Sequence, residues 1–489
     1  MREWLPVDHL VWFVLDTVAG LDLAPFRGRR RLGGAGRAGY DPAMLLGVLI
    51  YGYAVGQRSS RQIERLCHTD VAFRIACAQD TPDHSTIARF RAEHETALSG
   101  LFTQVLLVCA RAGMGRVGTI ALDGTKIAAN AALSANRSQS RLRRIAADIL
   151  AEAAAVDAAE DEQFGDRRGD ELPPGLADPT GRAARIKQML DDIAAEREAE
   201  SAGSEQTRRA ADRVERARDT LARTRAVVTE RNAERARWEQ LIQADGRRGL
   251  PGRMVPVEEH YDVRQAAARL ARAEANLTRA RQSTASRTAR EATRNLTDPD
   301  SRIMPTRHGW VQGYNCQLVV SADYLILAAD LHHDTGDYRS WSPMIDQASH
   351  AARAIRRATG RRSRIGTVLA DAGYASTTNL TTPGPDRLIA LGTRHQQHTD
   401  ARTHPAHDDP PPHATAWQRM HHRLRTPAGA ARYRRRAALV EPVHAHLKDR
   451  RGLRHFTRRG LTAARSEYRF AAAVTNLLRL HTHLATNPT

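Results

Sequence analysis

Three carboxylates in this chain have neighbours suited to phosphate chemistry. Asp123 closes the apolar run "GTIAL" and precedes Gly124 and Thr125. Asp371 closes a second run, "IGTVLA", and Glu441 heads the basic stretch "VEPVHAHLKDRRGLRHFTRRG" (440–460). Cleaving a phosphodiester requires an activated nucleophile and a stabilised leaving oxyanion. Two divalent cations roughly 3.5–4 Å apart achieve both, and Mg²⁺ takes hard oxygen ligands such as carboxylates. Each aspartate alone reads as a turn residue, since glycine follows Asp123 at Gly124 and Asp371 at Gly373. Together the three acids imply a site for two Mg²⁺ ions, with Mn²⁺ as a substitute.

The residues behind Glu441 suit the substrate side of that chemistry. Lys448, Arg450, Arg451, Arg454, Arg458 and Arg459 crowd into the same stretch, as expected for contacts to phosphates flanking a scissile bond. Glu441 and Lys448 are seven apart, about two helical turns, which predicts that they share one side of a helix. Pro442 is poor inside a helix, at about 3 kcal/mol, so the helix is expected to begin near it or to offset that cost by packing. Only three of the 74 basic residues are lysines, Lys126, Lys187 and Lys448. Two of them follow candidate carboxylates closely, Lys126 after Asp123 and Lys448 after Glu441.

A strand end can fix one carboxylate, an adjacent strand a second, and a helix across the sheet a third. The elements expected around the acids fit this plan. Residues 116–133 read as a first strand delivering Asp123. "NCQLVVSA" and "YLILAADL" read as a hairpin about Ala322–Asp323, followed by a helix near 339–357 and the strand delivering Asp371. Helices are expected at 433–449 and 465–484, and the His- and Pro-rich stretch 394–413 is expected to be an exposed loop. Upstream, 1–115 reads as short capped helices. Asp41 and Pro42 open one, Ser59 with Gln62 forms a capping box, and Asp83 caps a helix carrying Ile87, Phe90 and Arg91. Such an arrangement suits a helix-turn-helix DNA reader. Residues 134–300 are Ala/Arg/Glu-rich, with a loop-like segment at 164–181. Val214, Leu221 and Val228 recur every seven residues, as do Val263, Leu270 and Leu277, with a helix-breaking segment at 245–262 between them. That pattern predicts an antiparallel helical hairpin with an alanine-lined seam.

Composition narrows the partner. The 489-residue chain has a net charge of +19, which favours an anionic polymer. Its longest apolar runs, such as "AMLLGVLIYGYAVG", stop short of the ~20 residues of a membrane span. The N-terminus lacks the plan of a signal peptide. Four scattered cysteines suggest neither a zinc site nor a disulfide framework. No Walker-type "GxxxxGK" is present, so no ATP requirement is expected.

Several stretches together resemble insertion-sequence transposases of the DDE class. "DGTKIAANA" resembles that group's first-aspartate motif, "LADAGY" its second, and "TDPDSRIM" with "GWVQGYNCQLVVS" the stretch before its second strand. Tyr433, Arg436, Glu441 and Lys448 resemble its Tyr/Arg/Glu/Lys signature, with the arginine five rather than four residues before the glutamate. "DPAMLLGVLIYGY" and "TPDHSTIARFR" also resemble this group. The resemblance implies an α/β chain with a ribonuclease-H-like mixed-sheet catalytic core in 116–133 and 301–489. It further implies an all-α N-terminal DNA-binding domain (1–115), with the helical region 134–300 as an insertion. Asp123, Asp371 and Glu441 become the implied catalytic metal ligands. Tyr433, Arg436 and Lys448 become phosphate contacts, to which Lys126, Arg450, Arg451 and Arg454 are added. Expected partners are double-stranded DNA, at terminal inverted repeats and at target, and a second protomer or more on paired ends. The expected location is cytoplasmic and nucleoid-associated. Two alternatives remain, a silent DNA-binding descendant and a nuclease without strand transfer.

Overall fold

The structure, a computed structural model, describes residues 2–27, 39–149, 151, 179–201, 205–246, 253–289, 291–306, 309–392 and 394–486. Two units are distinguished, one formed by Met1–Asn136 with Arg294–Thr489 and the other by Arg137–Thr293.

The first unit is built on a mixed sheet. Its strands are β1 (Thr119–Ala128), β4 (Arg302–Thr306), β5 (Gly309–Ser321), β6 (Ile326–His332), β7 (Thr367–Ala370) and β8 (Asp386–Ile389). The order is β4-β5-β1-β7-β8, with β6 also pairing β5. β1 is antiparallel to β5, with Asp123 opposite Leu318. It is parallel to β7, which is in turn parallel to β8. Two short strands, β2 (Asn136–Ser138) and β3 (Thr293–Asn295), pair separately, and the division into units falls within each of them. Just inside the first unit, Leu296 N donates to Ala135 O at 3.1 Å.

The central strands are apolar without alternation because helices cover both faces. Ile120, Ala121, Leu122, Val368, Leu369 and Ala370 are all fully buried. Burying each such aliphatic side chain stabilises by roughly 1.5–3 kcal/mol for the larger ones. The helix Trp341–Thr359 packs on β5 and β6, Leu461–Thr486 on β6 and on Glu95–Arg111, and Pro427–Ala445 on β1, β5 and β7. No helix among the described residues is long and apolar enough to cross a membrane.

The N-terminal helices start where their caps predict. Asp41 accepts from Ala43 N with Pro42 in the first turn, Ser59 from Gln62 N, and Asp83 from Thr86 N. They share a continuous hydrophobic core with the sheet. Arg91 is buried rather than displayed. Its guanidinium donates to Arg58 O, Tyr53 Oη and Thr457 Oγ1. Beside it, the fully buried Glu467 carboxylate accepts from Arg58 Nη1 (2.6 Å), Thr457 Oγ1 (2.9 Å) and Thr457 N (3.0 Å).

The second unit contains the helices Pro179–Ser201, Glu205–Ala244 and Tyr261–Ala289. The last two pack through Leu221, Val228, Val263 and Ala266, with Leu270 against them. Arg218 pairs with Glu274 at 3.2 Å and Arg225 with Glu258 at 2.8 Å. One partner number rises as the other falls, so the pair is antiparallel, as the heptads predict. Most of the loop-like stretch 164–181, and 247–252 within the breaker, lie outside the described residues.

Three local expectations change. The helix carrying Glu441 begins at Pro427, capped by Thr426 Oγ1 accepting from Gly429 N, and Pro442 lies inside it on an exposed face. Arg394–Thr403 is helical rather than loop. "HQQHTDART" holds no glycine or proline, and Pro405 ends the run. After Ala445 the helix widens to a π turn over His446–Arg450, so the seven-residue spacing from Glu441 to Lys448 no longer implies a shared face.

Candidate active site

β1 and β7 run side by side as far as Leu122 and Ala370 and then part. Asp123 and Asp371 are the next residue on each, so the fold brings these two acids together at one fork. Burial raises Asp123 above the usual carboxylate range, against the Arg436 charge and the Gly124 N–H that lower it. Asp371 is pushed up to about 6, first by burial and then by Asp123, with Arg436 opposing. Two largely buried carboxylates whose charges oppose each other form an anionic site that favours a cation.

Arg436 fills part of that need from within the protein. Its Nη1 lies 3.2 Å from Asp123 Oδ1. Burial works against its charge, yet Asp123, Tyr433, Asp371 and Glu441 together hold it above the ordinary arginine value. All three candidate carboxylates thus act on one guanidinium. Glu441 itself is exposed on the helix surface. His444, on the buried side of the same helix, brings Nε2 to 3.9 Å from Asp123 Oδ2. Both of its ring nitrogens are buried without a hydrogen-bond partner. Burial, then the nearby Lys448 charge, lowers its pKa to about 4.

The remaining expected residues divide. Tyr433 is buried and donates to Ala370 O at 3.3 Å, beside Asp371, and burial raises its pKa to about 12. Lys448 donates to Thr125 Oγ1 on β1. Lys126 Nζ lies 3.4 Å from Asp337 Oδ1. Arg450 is exposed, Arg451 is half-buried with an unpartnered Nε, and Arg454 pairs with Asp449. Further along, Arg458 is tied to Glu95, and Arg459 Nε donates to Asn130 O at 3.1 Å.

A cavity of about 250 Å³ opens beside Asp371, lined by Gly373, Ala390, His398, Tyr433 and Arg434. His398 comes from the His-rich stretch that sequence reasoning set aside as linker. Asp337 is the other residue that reasoning missed. It accepts from Asn315 and Gln317 on β5, and its charge raises both Asp123 and Asp371.

The donor set suits a hard divalent cation in its chemistry, since carboxylate oxygens with raised proton affinity converge and a positive group already answers them. In this arrangement, among the described residues, no three His, Cys, Asp or Glu side chains stand close enough together to hold a metal ion. Asp123 and Asp371 are assembled, and Glu441, exposed on its helix, acts on Arg436 without joining them in a three-residue group.

Comparison with known proteins adds two family matches. Residues 1–93 match a transposase domain, and residues 394–481 match the transposase DDE domain. The second span includes Tyr433, Arg436, Glu441 and Lys448, whereas Asp123 and Asp371 lie outside both spans. No curated protein and no solved structure matches the chain. Matched at one end to a transposase domain and at the other to a transposase DDE domain, this chain carries the family signatures of a DDE-type insertion-sequence transposase.

Proposed function

We propose that this protein is a metal-dependent DNA transposase that binds terminal inverted repeats, cleaves the phosphodiester at the transposon ends and joins the freed 3′-hydroxyl to target DNA. The observation that carries the reading is the fork between β1 and β7. It presents Asp123 and Asp371 side by side, with the Glu441 helix packed across the same strands. The sheet order, with β1, β7 and β8 parallel and β5 and β6 antiparallel, supports a ribonuclease-H-like core. The +19 charge supports DNA as the partner.

When bound, Mg²⁺ or Mn²⁺ at these carboxylates would activate water and neutralise the leaving oxygen. The chain's own residues do the rest. Asp123, Asp371 and Glu441 would hold the cations. Tyr433 fixes the end of β7 through Ala370 O, which sets where Asp371 points. Lys448, held over Thr125, and the exposed Arg450 receive phosphates along the duplex. The helices of 1–93 read the repeats, and both ends are engaged by a dimer or larger assembly in the bacterial cytoplasm.

The exposure of Glu441, with no three-carboxylate group among the described residues, favours a silent DNA-binding descendant. The deciding experiment is cleavage of a labelled duplex carrying the inverted repeat, comparing wild type with Glu441→Gln, in Mg²⁺ and in EDTA. Metal-dependent nicking at the repeat end, lost in the variant while binding persists, supports the transposase. Tight binding without nicking in any divalent metal supports the silent descendant, and cleavage without strand transfer supports a nuclease.

A further inference from the structure

Asp337 belongs to none of the recognised motifs and lies outside both matched spans. It precedes the helix Trp341–Thr359, and its carboxylate reaches the same fork. Among the described residues, its side-chain hydrogen bonds all fall on Oδ1, from Asn315 Nδ2 at 2.7 Å, Gln317 Nε2 at 2.9 Å and Lys126 Nζ at 3.4 Å. Asn315 and Gln317 are fully buried on β5. Gln317 Oε1 in turn accepts from the buried Tyr374 hydroxyl, three residues beyond Asp371. Buried amides are costly unless hydrogen-bonded, and here two of them converge on a single carboxylate oxygen.

The placement of that carboxylate, together with its donor Gln317, explains two glycines. A methyl group on Gly124 would collide first with the Gln317 side-chain amide and would also come 2.7 Å from Asp337 Oδ1. One on Gly373 would come 2.9 Å from Asp337 Oδ2 and 3.0 Å from Asp371 Oδ1. Gly124 directly follows Asp123, and Gly373 is two beyond Asp371. Both positions lack a side chain where the Asp337 carboxylate lies, in the fork just past the last β1–β7 pair. One oxygen is anchored, and the other faces the space occupied by Asp371.

We propose that Asp337 is a positioning residue for the carboxylate site. It braces the backbone at Gly124 and Gly373, and so sets Asp123 and Asp371 at the separation a divalent cation requires, while adding negative charge behind them. This rests on reading Asp123 and Asp371 as cation ligands. A purely structural acid in this place would have no bearing on cation affinity once the fold is intact.

The test is Mn²⁺ binding to the full-length protein without DNA, read by electron paramagnetic resonance, for wild type, Asp337→Asn, Gly373→Ala, their double variant and Asp371→Asn. Asn at 337 can still accept the three donors on its amide oxygen, so thermal unfolding should stay near wild type. Mn²⁺ affinity should fall on the order of tenfold, the scale seen when groups behind a ligand are lost. Gly373→Ala, which displaces Asp337 Oδ2 and also presses on Asp371 Oδ1, should weaken binding at least as much, and Asp337→Asn added to it should cost less than Asp337→Asn costs alone, because the two share a contact. If Asp337→Asn binds Mn²⁺ as wild type does while Asp371→Asn loses it, the role of Asp337 is overturned and the carboxylate site stands. If Asp371→Asn binds as wild type does, the site reading fails and takes the role of Asp337 with it. Should Asp337→Asn misfold, a folded Gly373→Ala variant with unchanged Mn²⁺ affinity overturns the proposal instead.

Discussion

Arg436 Nη1 stands 3.2 Å from Asp123 Oδ1, with both side chains about six-sevenths buried. Breaking one partner of a buried pair strands the other, at about 3–5 kcal/mol. Arg436→Gln should therefore destabilise the protein by roughly that much in EDTA. Because a cation can supply the missing charge, Mn²⁺ should raise the melting temperature of this variant more than that of wild type. Equal shifts in the two proteins would show that Arg436 does not answer the site's negative charge.

Asp371 gives a prediction with a definite sign. Its folded pKa is about 6 against an ordinary 3.8. The native state thus holds a proton more tightly than the unfolded chain, and the stability this contributes is full below 3.8 and lost as pH rises through 6. Asp371→Asn mimics the neutral form throughout. In EDTA it should match wild type near pH 3.5 and exceed it by about 3 kcal/mol at pH 8, at ~1.4 kcal/mol per unit. Adding Mg²⁺ at pH 8 should stabilise wild type and leave the variant unmoved. Chemical denaturation across that pH range checks both statements, and a constant gap would refute the assigned shift.

The buried Glu467 should matter for folding rather than chemistry. Its carboxylate joins Arg58 to Thr457, and Glu467→Ala leaves two buried guanidinium groups, Arg58 and Arg91, without their counter-charge. A loss of about 3–5 kcal/mol is expected, seen as a lower denaturation midpoint. A change under 1 kcal/mol, on the scale of a surface pair, would mean the network is far wetter than its burial suggests.

DNA binding should fall steeply with salt, and the basic residues should contribute unequally. Arg450 is exposed and available for a phosphate, whereas Arg458 is held by Glu95. Arg450→Gln should reduce the slope of log affinity against log salt by about one. Arg458→Gln should leave the slope nearly unchanged while lowering stability. Equal changes in slope would remove the distinction.

What the sequence made legible was whatever local patterning controls. The apolar run before Asp371 marked the end of β7, whereas the run before Asp123 stops inside β1, at the point where β7 ceases to pair with it. Caps at Asp41, Ser59 and Asp83 marked helix starts, and the heptad residues Val214, Leu221 and Val228 are indeed buried. Thr426 before Pro427 is also a cap followed by a favoured first-turn proline, a signal of the true start that the expected range 433–449 passed over. Asp337 was hidden for a different reason. It lies in "HHDTGDYRS", a polar stretch without periodicity, and its place depends on two glycines far away in sequence. The π turn was equally silent, because no residue type specifies where a helix widens.

Ala135 and Leu296 are joined by one backbone hydrogen bond, although 160 residues of chain run between them. The ends that a deletion would leave are therefore already neighbours. Asp123, Asp337, Asp371, Arg436 and Glu441 all belong to Met1–Asn136 and Arg294–Thr489. A short hairpin turn could replace everything in between without stretching either stub. The helical unit is in this sense a cassette spliced into a reaction core, removable for the purpose of asking what it adds.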